Sequence, residues 1–213
     1  SRLLGRDPSL VLHGGGNTSV KSRTKNRLCE EVEVLYVKGS GWDLDTLEPP
    51  GLPGVKLDPL RQLRSLSSLS DEAMVNDQRT NLLDASSPNP SVETLLHAFL
   101  PHKFVDHSHA DAILVIANQP NSEKLCKEIY GDELGVVPYI MPGFDLAKAA
   151  AEAYEKNPQV KGLVLINHGL FTFGDTAKES YDAHIRAVTL AEIFIQNNPR
   201  QPLTPGKEPA SDD

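Results

Sequence analysis

Two histidines separated by one residue are the strongest chemical signal in this chain. His107 and His109 lie in the segment Phe104–Ala117, which is predicted to be a strand. Residues two apart in a strand point to the same face of the sheet, so both imidazoles could reach one ion. His168, after the apolar run Leu163–Ile166, could supply a third nitrogen. Three histidine ligands with an open position suit catalytic zinc, although the spacing alone equally allows ordinary structural histidines.

Glu93 is the second residue with potential chemistry. The pair Asn89-Pro90 predicts a helix start, which places Glu93 in a first turn, where the helix dipole favours an acid. That ordinary role explains the residue without further chemistry. If Glu93 lies beside the histidines, it could instead bind the metal or act as a base. The other histidines are interpreted as core or surface residues: His13, His97, His102 and His184.

Two glycine-rich turns could bind an anion. Gly14–Asn17 is expected to follow a short strand over residues 9–13, and Gly39–Gly41 follows the predicted strand Glu31–Val37. Neither turn matches the dinucleotide fingerprint or a Walker loop. Backbone N–H groups in such turns can hold phosphate, and Ser91 at a helix N-terminus could meet the same anion. Plain tight turns remain the alternative.

Strands and helices alternate along the chain, which predicts an α/β domain with helices packed on a sheet. Further predicted elements are a helix end at residues 1–6, a surface loop at 45–58, helices from Ser70 through Leu82, over Leu146–Tyr154 and from Thr176 onward, and a strand at Gly162–Asn167. Residues 1–198 are expected to form one domain. Residues 199–213 are rich in proline and are expected to be a linker or disordered tail.

Composition argues against several functional classes. The 213-residue chain has a formal net charge of -8, which disfavours general binding of nucleic acid or anionic membranes. No segment is long and apolar enough to predict a membrane span. The two cysteines, Cys29 and Cys126, form no disulfide framework, so reduced thiols in a cytoplasmic protein are expected.

Five short motifs stand in a fixed order along the chain: Gly16-Asn17, Gly39-Ser40-Gly41, Pro90-Ser91-Val92-Glu93, His107-Ser108-His109 and Asn167-His168-Gly169. Together they resemble the class II (zinc-dependent) aldolase and adducin family, from about Leu3 to about Gln196. Stretches such as LVLHGGGNTSVK and GLVLINHGLFTFGDT are most similar to the aldolase portion of bifunctional rhamnulose-1-phosphate aldolase/alcohol dehydrogenase proteins. A dehydrogenase domain follows in that branch, and the present sequence ends before such a domain.

The resemblance implies a role for each matched residue. His107, His109 and His168 would bind zinc (Zn2+), and Glu93 would be the catalytic acid/base. The substrate phosphate would be held by Gly16, Asn17, Ser40, Gly41 and Ser91. The implied fold is an α/β sandwich with a mainly antiparallel central sheet and helices packed on both sides. The implied assembly is a homotetramer with active sites near the subunit interfaces.

The activity implied by the resemblance is reversible cleavage of a ketose 1-phosphate. L-rhamnulose 1-phosphate is the leading substrate, with dihydroxyacetone phosphate and L-lactaldehyde as products. The alternatives are a sugar-phosphate epimerase or dehydratase of the same family, or a non-enzymatic adducin-like interaction module. Gly14 and Val92 replace hydroxyl residues found in many aldolases. Both changes remove phosphate donors, so they put the substrate in question more than the metal chemistry.

Overall fold

The computed structural model describes residues 1–199, which fold around one seven-stranded sheet. The strands are β1 (Asn17–Lys25), β2 (Glu31–Val37), β3 (Gly54–Lys56), β4 (Phe104–Ser108), β5 (Leu134–Val137), β6 (Gly162–Leu165) and β7 (Gly169–Gly174). The helices are α1 (Arg2–Gly5), α2 (Leu57–Leu63), α3 (Asp71–Thr80), α4 (Thr94–Phe99), α5 (Asp111–Ala117), α6 (Ser122–Tyr130), α7 (Phe144–Lys156) and α8 (Ala177–Asn197), with a short 3-10 turn at Pro49–Gly51.

The sheet is mainly antiparallel, as predicted. Its strand order is β3-β2-β1-β4-β7-β6-β5, and β5 with β6 is the one parallel pair within residues 1–199. Strand β4 lies between β1 and β7, so its residues meet neighbours that are distant in sequence. Asn17 pairs with His107 across β1 and β4, and Phe171 pairs with His107 across β7 and β4. The centre of the sheet therefore gathers three of the five sequence motifs.

Alternating strand residues create two apolar layers, one on each face of the sheet. Leu35, Val105 and Phe171 point to the face covered by α2, α3, α4 and α7. Val164 and Leu170 point to the opposite face, covered by α1, α5, α6 and α8. Burying one such side chain stabilises the fold by about 1.5–3 kcal/mol. The period-two alternation thus holds helices on both faces, which confirms the predicted fold class.

Two predicted helix starts are confirmed by their caps. The hydroxyl of Ser70 accepts a hydrogen bond from the backbone N–H of Ala73 at the start of α3. Thr176 and Glu179 form a reciprocal capping box at the start of α8. Such caps stabilise a helix by about 1 kcal/mol because they satisfy N–H groups that have no partner inside the helix. The end of α3 differs slightly, since this helix stops at Thr80 rather than Leu82.

The predicted strand over Phe104–Ala117 is half wrong. Strand β4 ends at Ser108, and helix α5 begins at Asp111. The prediction failed over Ile113–Ile116, because a short continuous apolar run fits a buried strand or a buried helix equally well. Burial settles the choice: Ile113 and Ile116 are buried while Val115 is 45% exposed, which is helical spacing.

Three other local predictions need correction. The helix expected at Asn89-Pro90 begins at Thr94, because Pro90 forms a bridge with Gly39. Residues 9–13 form turns and irregular backbone rather than a strand, so the glycine loop precedes β1. The loop expected at 45–58 contains the 3-10 turn, β3 and the start of α2.

The proposed tail over 199–213 lies, except for Pro199, outside the described residues, and the single domain over 1–198 stays a prediction. No helix within the described part of the chain has the length and apolar character needed to cross a membrane.

Candidate active site

The three predicted histidines converge at one end of the central strands. His107 is in β4, His109 follows the strand, and His168 lies in the turn between β6 and β7. Asn167 adopts a φ of 57°, a left-handed conformation that asparagine tolerates in tight turns. Because β7 pairs with β4, this turn lies beside His107. One nitrogen from each ring lies within 4.8 Å of the others.

The ring of His107 is oriented by the sheet. Its Nδ1 lies 3.0 Å from the carbonyl oxygen of Leu170, so Nδ1–H donates to that oxygen. The ring stacks on Phe171 at a centroid distance of 4.1 Å. Burial lowers the pKa of His107 well below its ordinary value, more than the nearby Glu93 raises it. A neutral ring therefore presents the Nε2 lone pair to the site, as a metal ligand must.

Glu93 lies directly against the histidines. Its Oε1 is 2.9 Å from His168 Nε2, and its Oε2 is 3.3 Å from His107 Nε2. Burial by itself raises the pKa of Glu93, but His107, His168 and the amide of Asn17 together hold it well below its usual range. The carboxylate is therefore ionised although only 9% of it is exposed.

The donor set fits a divalent transition metal. Nε2 of His107 and Nε2 of His109 face one another at 3.0 Å. Glu93 Oε1 and His168 Nδ1 are two of the four side-chain polar atoms within residues 1–199 that are buried without a hydrogen-bond partner. Oε1 makes no hydrogen bond despite its short distance to His168. A cation beside these atoms would satisfy the facing lone pairs, and three imidazole nitrogens with a carboxylate suit zinc or a similar ion.

At two positions in the loops, the backbone conformation favours glycine over any other residue. Gly16 has a φ of 64°, and a Cβ there would lie 2.5 Å from Val11 and 2.8 Å from the carbonyl oxygen of His107. The first loop therefore packs directly onto the strand that carries a candidate ligand. Gly41 has a φ of 83° with open space around it, so its conformation rather than crowding favours glycine.

The second glycine loop is tied to the segment before Glu93. The N–H of Ser40 donates to the carbonyl oxygen of Asn89 at 2.8 Å, and the N–H of Ser91 donates to that of Lys38 at 3.1 Å. Ser40 and Gly41 are exposed, so they remain accessible to a ligand. Asn17 and Ser91 already have partners: Asn17 Nδ2 donates to the Glu93 carboxylate, and Ser91 Oγ accepts from the backbone N–H of Glu93 and from Asn17 Nδ2.

Lys38 is a charged residue at this site that the sequence reasoning missed. It is buried, and its Nζ donates to the carbonyl oxygen of Gly14 at 2.9 Å, which joins the two glycine loops. Burial lowers the pKa of Lys38, while Asp43 and Glu93 raise it. The sequence signal for this role is the position of the lysine immediately before Gly39-Ser40-Gly41, because a cation beside such a loop strengthens anion binding.

Comparison with known proteins identifies the family. Residues 1–195 match the family model described as Class II Aldolase and Adducin N-terminal domain. The chain belongs to the class II aldolase and adducin family.

One curated relative is similar to this chain over most of the chain's length. An uncharacterized oxidoreductase, YuxG, from Bacillus subtilis is 41% identical over 201 residues, which cover 94% of this chain but 29% of that protein. The present chain thus spans less than a third of this curated relative.

Solved structures show the same fold. The N-terminal class II aldolase domain of a conserved protein from Thermoplasma acidophilum is 48% identical, with a TM-score of 0.86, covering 91% of this chain and 89% of that one. L-fuculose-1-phosphate aldolase from Thermus thermophilus has a TM-score of 0.59 at 19% identity, with coverage of 92% of each chain. At that identity the likeness concerns the fold alone.

Proposed function

We propose that this protein is a metal-dependent aldolase that reversibly cleaves a ketose 1-phosphate. The observation that carries the proposal is the meeting of His107, His109 and His168 with the buried, ionised carboxylate of Glu93. We assign L-rhamnulose 1-phosphate as the leading substrate, with dihydroxyacetone phosphate and L-lactaldehyde as products. That assignment is supported by the resemblance of the sequence to one branch of the family.

The chemistry divides between the metal and the side chains. A zinc ion held by His107, His109 and His168 would supply Lewis-acid stabilisation of the enediolate. In the condensation direction, the Glu93 carboxylate takes a proton from the nucleophilic carbon of dihydroxyacetone phosphate. In the cleavage direction, the bond to that carbon breaks as the neighbouring hydroxyl loses its proton and becomes the aldehyde, and the Glu93 carboxylate passes a proton on to the carbon. An ionised carboxylate beside the metal ligands is ready for the first of these transfers.

The loops around Lys38 would bind the phosphate and so fix the reacting carbon. The exposed residues Ser40 and Gly41 offer the Ser40 hydroxyl and the Gly41 N–H to an anion, and Gly16 belongs to the other glycine loop. The Lys38 ammonium adds a positive charge beside these donors. Binding the phosphate away from the reacting bond uses remote contacts to hold the substrate in a reactive geometry. The expected homotetramer rests on the family resemblance and the expected cytoplasmic location on the cysteine content, and both stay predictions.

Release of dihydroxyacetone phosphate from L-rhamnulose 1-phosphate tests the proposal, with L-fuculose 1-phosphate as the comparison substrate. The zinc-loaded protein is expected to turn over a ketose 1-phosphate, while Glu93→Gln and His109→Ala lose activity. Glu123→Gln, at an exposed position on α6, is the matched control and should behave like the unaltered protein. Full activity in both site variants would rule out the assignment.

Substitution of Lys38 tests phosphate recognition separately. Lys38→Met is expected to raise KM by about tenfold or more, since a charge-assisted hydrogen bond contributes about 1.5–3 kcal/mol. The matched control is Lys124→Met, at an exposed position on α6. An unchanged KM in Lys38→Met would remove this lysine from the proposed phosphate site.

A further inference from the structure

The side chain of Asn17 links the candidate acid/base to a histidine outside the metal cluster. Asn17 Nδ2 donates to Glu93 Oε2 at 2.6 Å and lies 3.1 Å from Ser91 Oγ. On its other side, Asn17 Oδ1 forms a short hydrogen bond with Nε2 of His97. The amide is 4% exposed, so its orientation depends on these three neighbours.

The chemistry of the partners determines the direction of every hydrogen bond in this chain of contacts. The ionised carboxylate of Glu93 only accepts, so the NH2 group of Asn17 must face it. The amide oxygen then faces His97, whose Nε2 must carry the hydrogen. Nδ1 of the same ring is left as an acceptor, and the hydroxyl of Ser19 donates to it at 2.7 Å. The result is a directional relay from Ser19 through His97 and Asn17 to Glu93.

Strand and helix periodicities bring these four side chains together. Asn17 and Ser19 are two apart in β1 and so share one face of the sheet. Glu93 and His97 are four apart, and the N–H of His97 donates to the carbonyl oxygen of Glu93 at 3.2 Å. One helical turn therefore stacks the histidine above the carboxylate. Two residues of β1 therefore meet Glu93, the residue that precedes α4, and His97 within α4.

The aromatic core holds the His97 ring from the other side. His97 packs edge-on against Phe171 at a centroid distance of 5.4 Å, and Phe171 stacks on His107 at 4.1 Å. His97 is fully buried, and burial lowers its pKa to about 3, so the ring is neutral at physiological pH. One phenyl ring thus supports both the relay histidine and a candidate metal ligand.

We propose that His97 is a positioning residue: its Nε2–H holds the amide of Asn17, which in turn holds the Glu93 carboxylate at the candidate metal centre. The ring of His97 bonds to Asn17 and Ser19 and packs on Phe171, none of which is a candidate metal ligand, so His97 acts through Asn17. The kinetic part of this inference rests on the proposed aldolase function. The hydrogen-bond direction and the tautomer do not.

The tautomer is the first test, and it needs no substrate. Nitrogen NMR of the full chain, with and without zinc, is expected to show His97 as the neutral Nε2–H form at pH 7. The difference from the spectrum of His97→Gln assigns the signal. A neutral Nδ1–H form or an imidazolium at pH 7 would overturn the relay. The tautomer result does not depend on activity. If the protein turns over no ketose 1-phosphate, only the proposed function is refuted.

Paired substitutions provide the second test. His97→Phe keeps the ring shape without its hydrogen bonds, and His97→Gln places an amide N–H near the position of Nε2. Loss of a supporting partner typically costs about 10–100-fold, so kcat of His97→Phe should fall by that factor with KM little changed. His97→Gln should recover most of the loss. Equal loss in both variants when both are folded, or kcat within about twofold of the unaltered protein in His97→Phe, would contradict the proposal.

A variant that disturbs the core less covers the case in which His97→Phe does not fold. Ser19→Ala removes only the donor to Nδ1, so the ring is free to change tautomer. The Nε2–H signal of His97 is expected to weaken or shift in this variant, and kcat is expected to fall with it. An unchanged tautomer together with an unchanged kcat in Ser19→Ala would count against the relay.

Discussion

His97 and His184 are both fully buried histidines, one on each face of the central sheet, and both bond through their two ring nitrogens. Nε2 of His184 accepts from the hydroxyl of Ser108 at 2.6 Å. Its Nδ1 donates to Thr172 Oγ1 at 2.8 Å, and that hydroxyl donates to the carbonyl oxygen of Ser180. Burial lowers the pKa of each ring to about 3. The two rings are therefore nearly alike in local chemistry.

The two networks differ in where they end. The His97 network reaches the ionised carboxylate of Glu93 through a side chain. The His184 network ends on a backbone carbonyl in α8 and on Ser108, between His107 and His109. It joins α8 to the strand that carries the candidate ligands and leaves their rings untouched. The role of a buried histidine thus depends on what its partners contact, and burial or pKa alone does not reveal it.

The largest expected effect is at the end of the His97 network. Glu93→Gln should lower kcat by about 100- to 10,000-fold, the usual contribution of a general acid or base. In the Glu93→Gln background, His97→Phe should lower kcat little further, because both residues act through one hydrogen-bonded unit. His184→Phe should change kcat by the same factor in that background as in the unaltered protein. Steady-state kinetics on the single and double variants measures this. Full additivity of Glu93→Gln and His97→Phe would remove the distinction between the networks.

Loss of His184 should affect folding rather than turnover. His184→Phe leaves the buried hydroxyl of Ser108 without its partner, while Thr172 keeps its bond to Ser180; one unsatisfied buried group costs about 1–3 kcal/mol. The free energy of unfolding, measured by urea denaturation, should fall by that order while kcat stays within about threefold. A large loss of kcat at unchanged stability would mean that the two faces are functionally alike.

Acid should destabilise the protein partly through His184. Its pKa is about 3 when folded, against an ordinary 6.5 when unfolded, so below pH 6.5 the unfolded chain binds the extra proton. The contribution of neutral His184 to the free energy of unfolding is complete above pH 6.5 and is lost as pH falls. The loss reaches about 2 kcal/mol at pH 5. The stability of His184→Gln should therefore decline less between pH 7.5 and pH 5. Nearby Asp106, whose pKa is raised by burial, contributes with the opposite sign in both proteins. Identical pH dependence in the two proteins would contradict the neutral buried ring.

The smallest effects compare one hydroxyl on each face. Ser19→Ala and Thr172→Val each remove a partner of a buried histidine, at a net cost of about 0.5–1.5 kcal/mol in stability. Only Ser19→Ala should also lower kcat, by about two- to tenfold, because its network ends at the candidate acid/base. Thermal unfolding and kinetics on both variants give the comparison. A lower kcat in Thr172→Val would show that the His184 network also reaches the chemistry.

Sequence reasoning succeeded where the relevant spacing is local. The capping box at Thr176 and the strand Glu31–Val37, which is rich in β-branched residues, depend on neighbours a few residues away. It failed where a distant partner decided the structure. Pro90 looked like a helix start, but its bridge to Gly39 keeps the segment extended until Thr94. The apolar run after Ser108 could not be distinguished from a strand until its burial pattern was known.

The sequence by itself determined the residue types at the site, the family order of the motifs and the α/β class. Only the tertiary structure decided which of the seven histidines share a site. His97 bonds to Asn17 and Ser19, about eighty residues earlier, because α4 packs over β1. Local periodicity determines which side chains share one face of an element. Which faces then meet is determined by strand register and core burial across the whole chain, and these are not local properties.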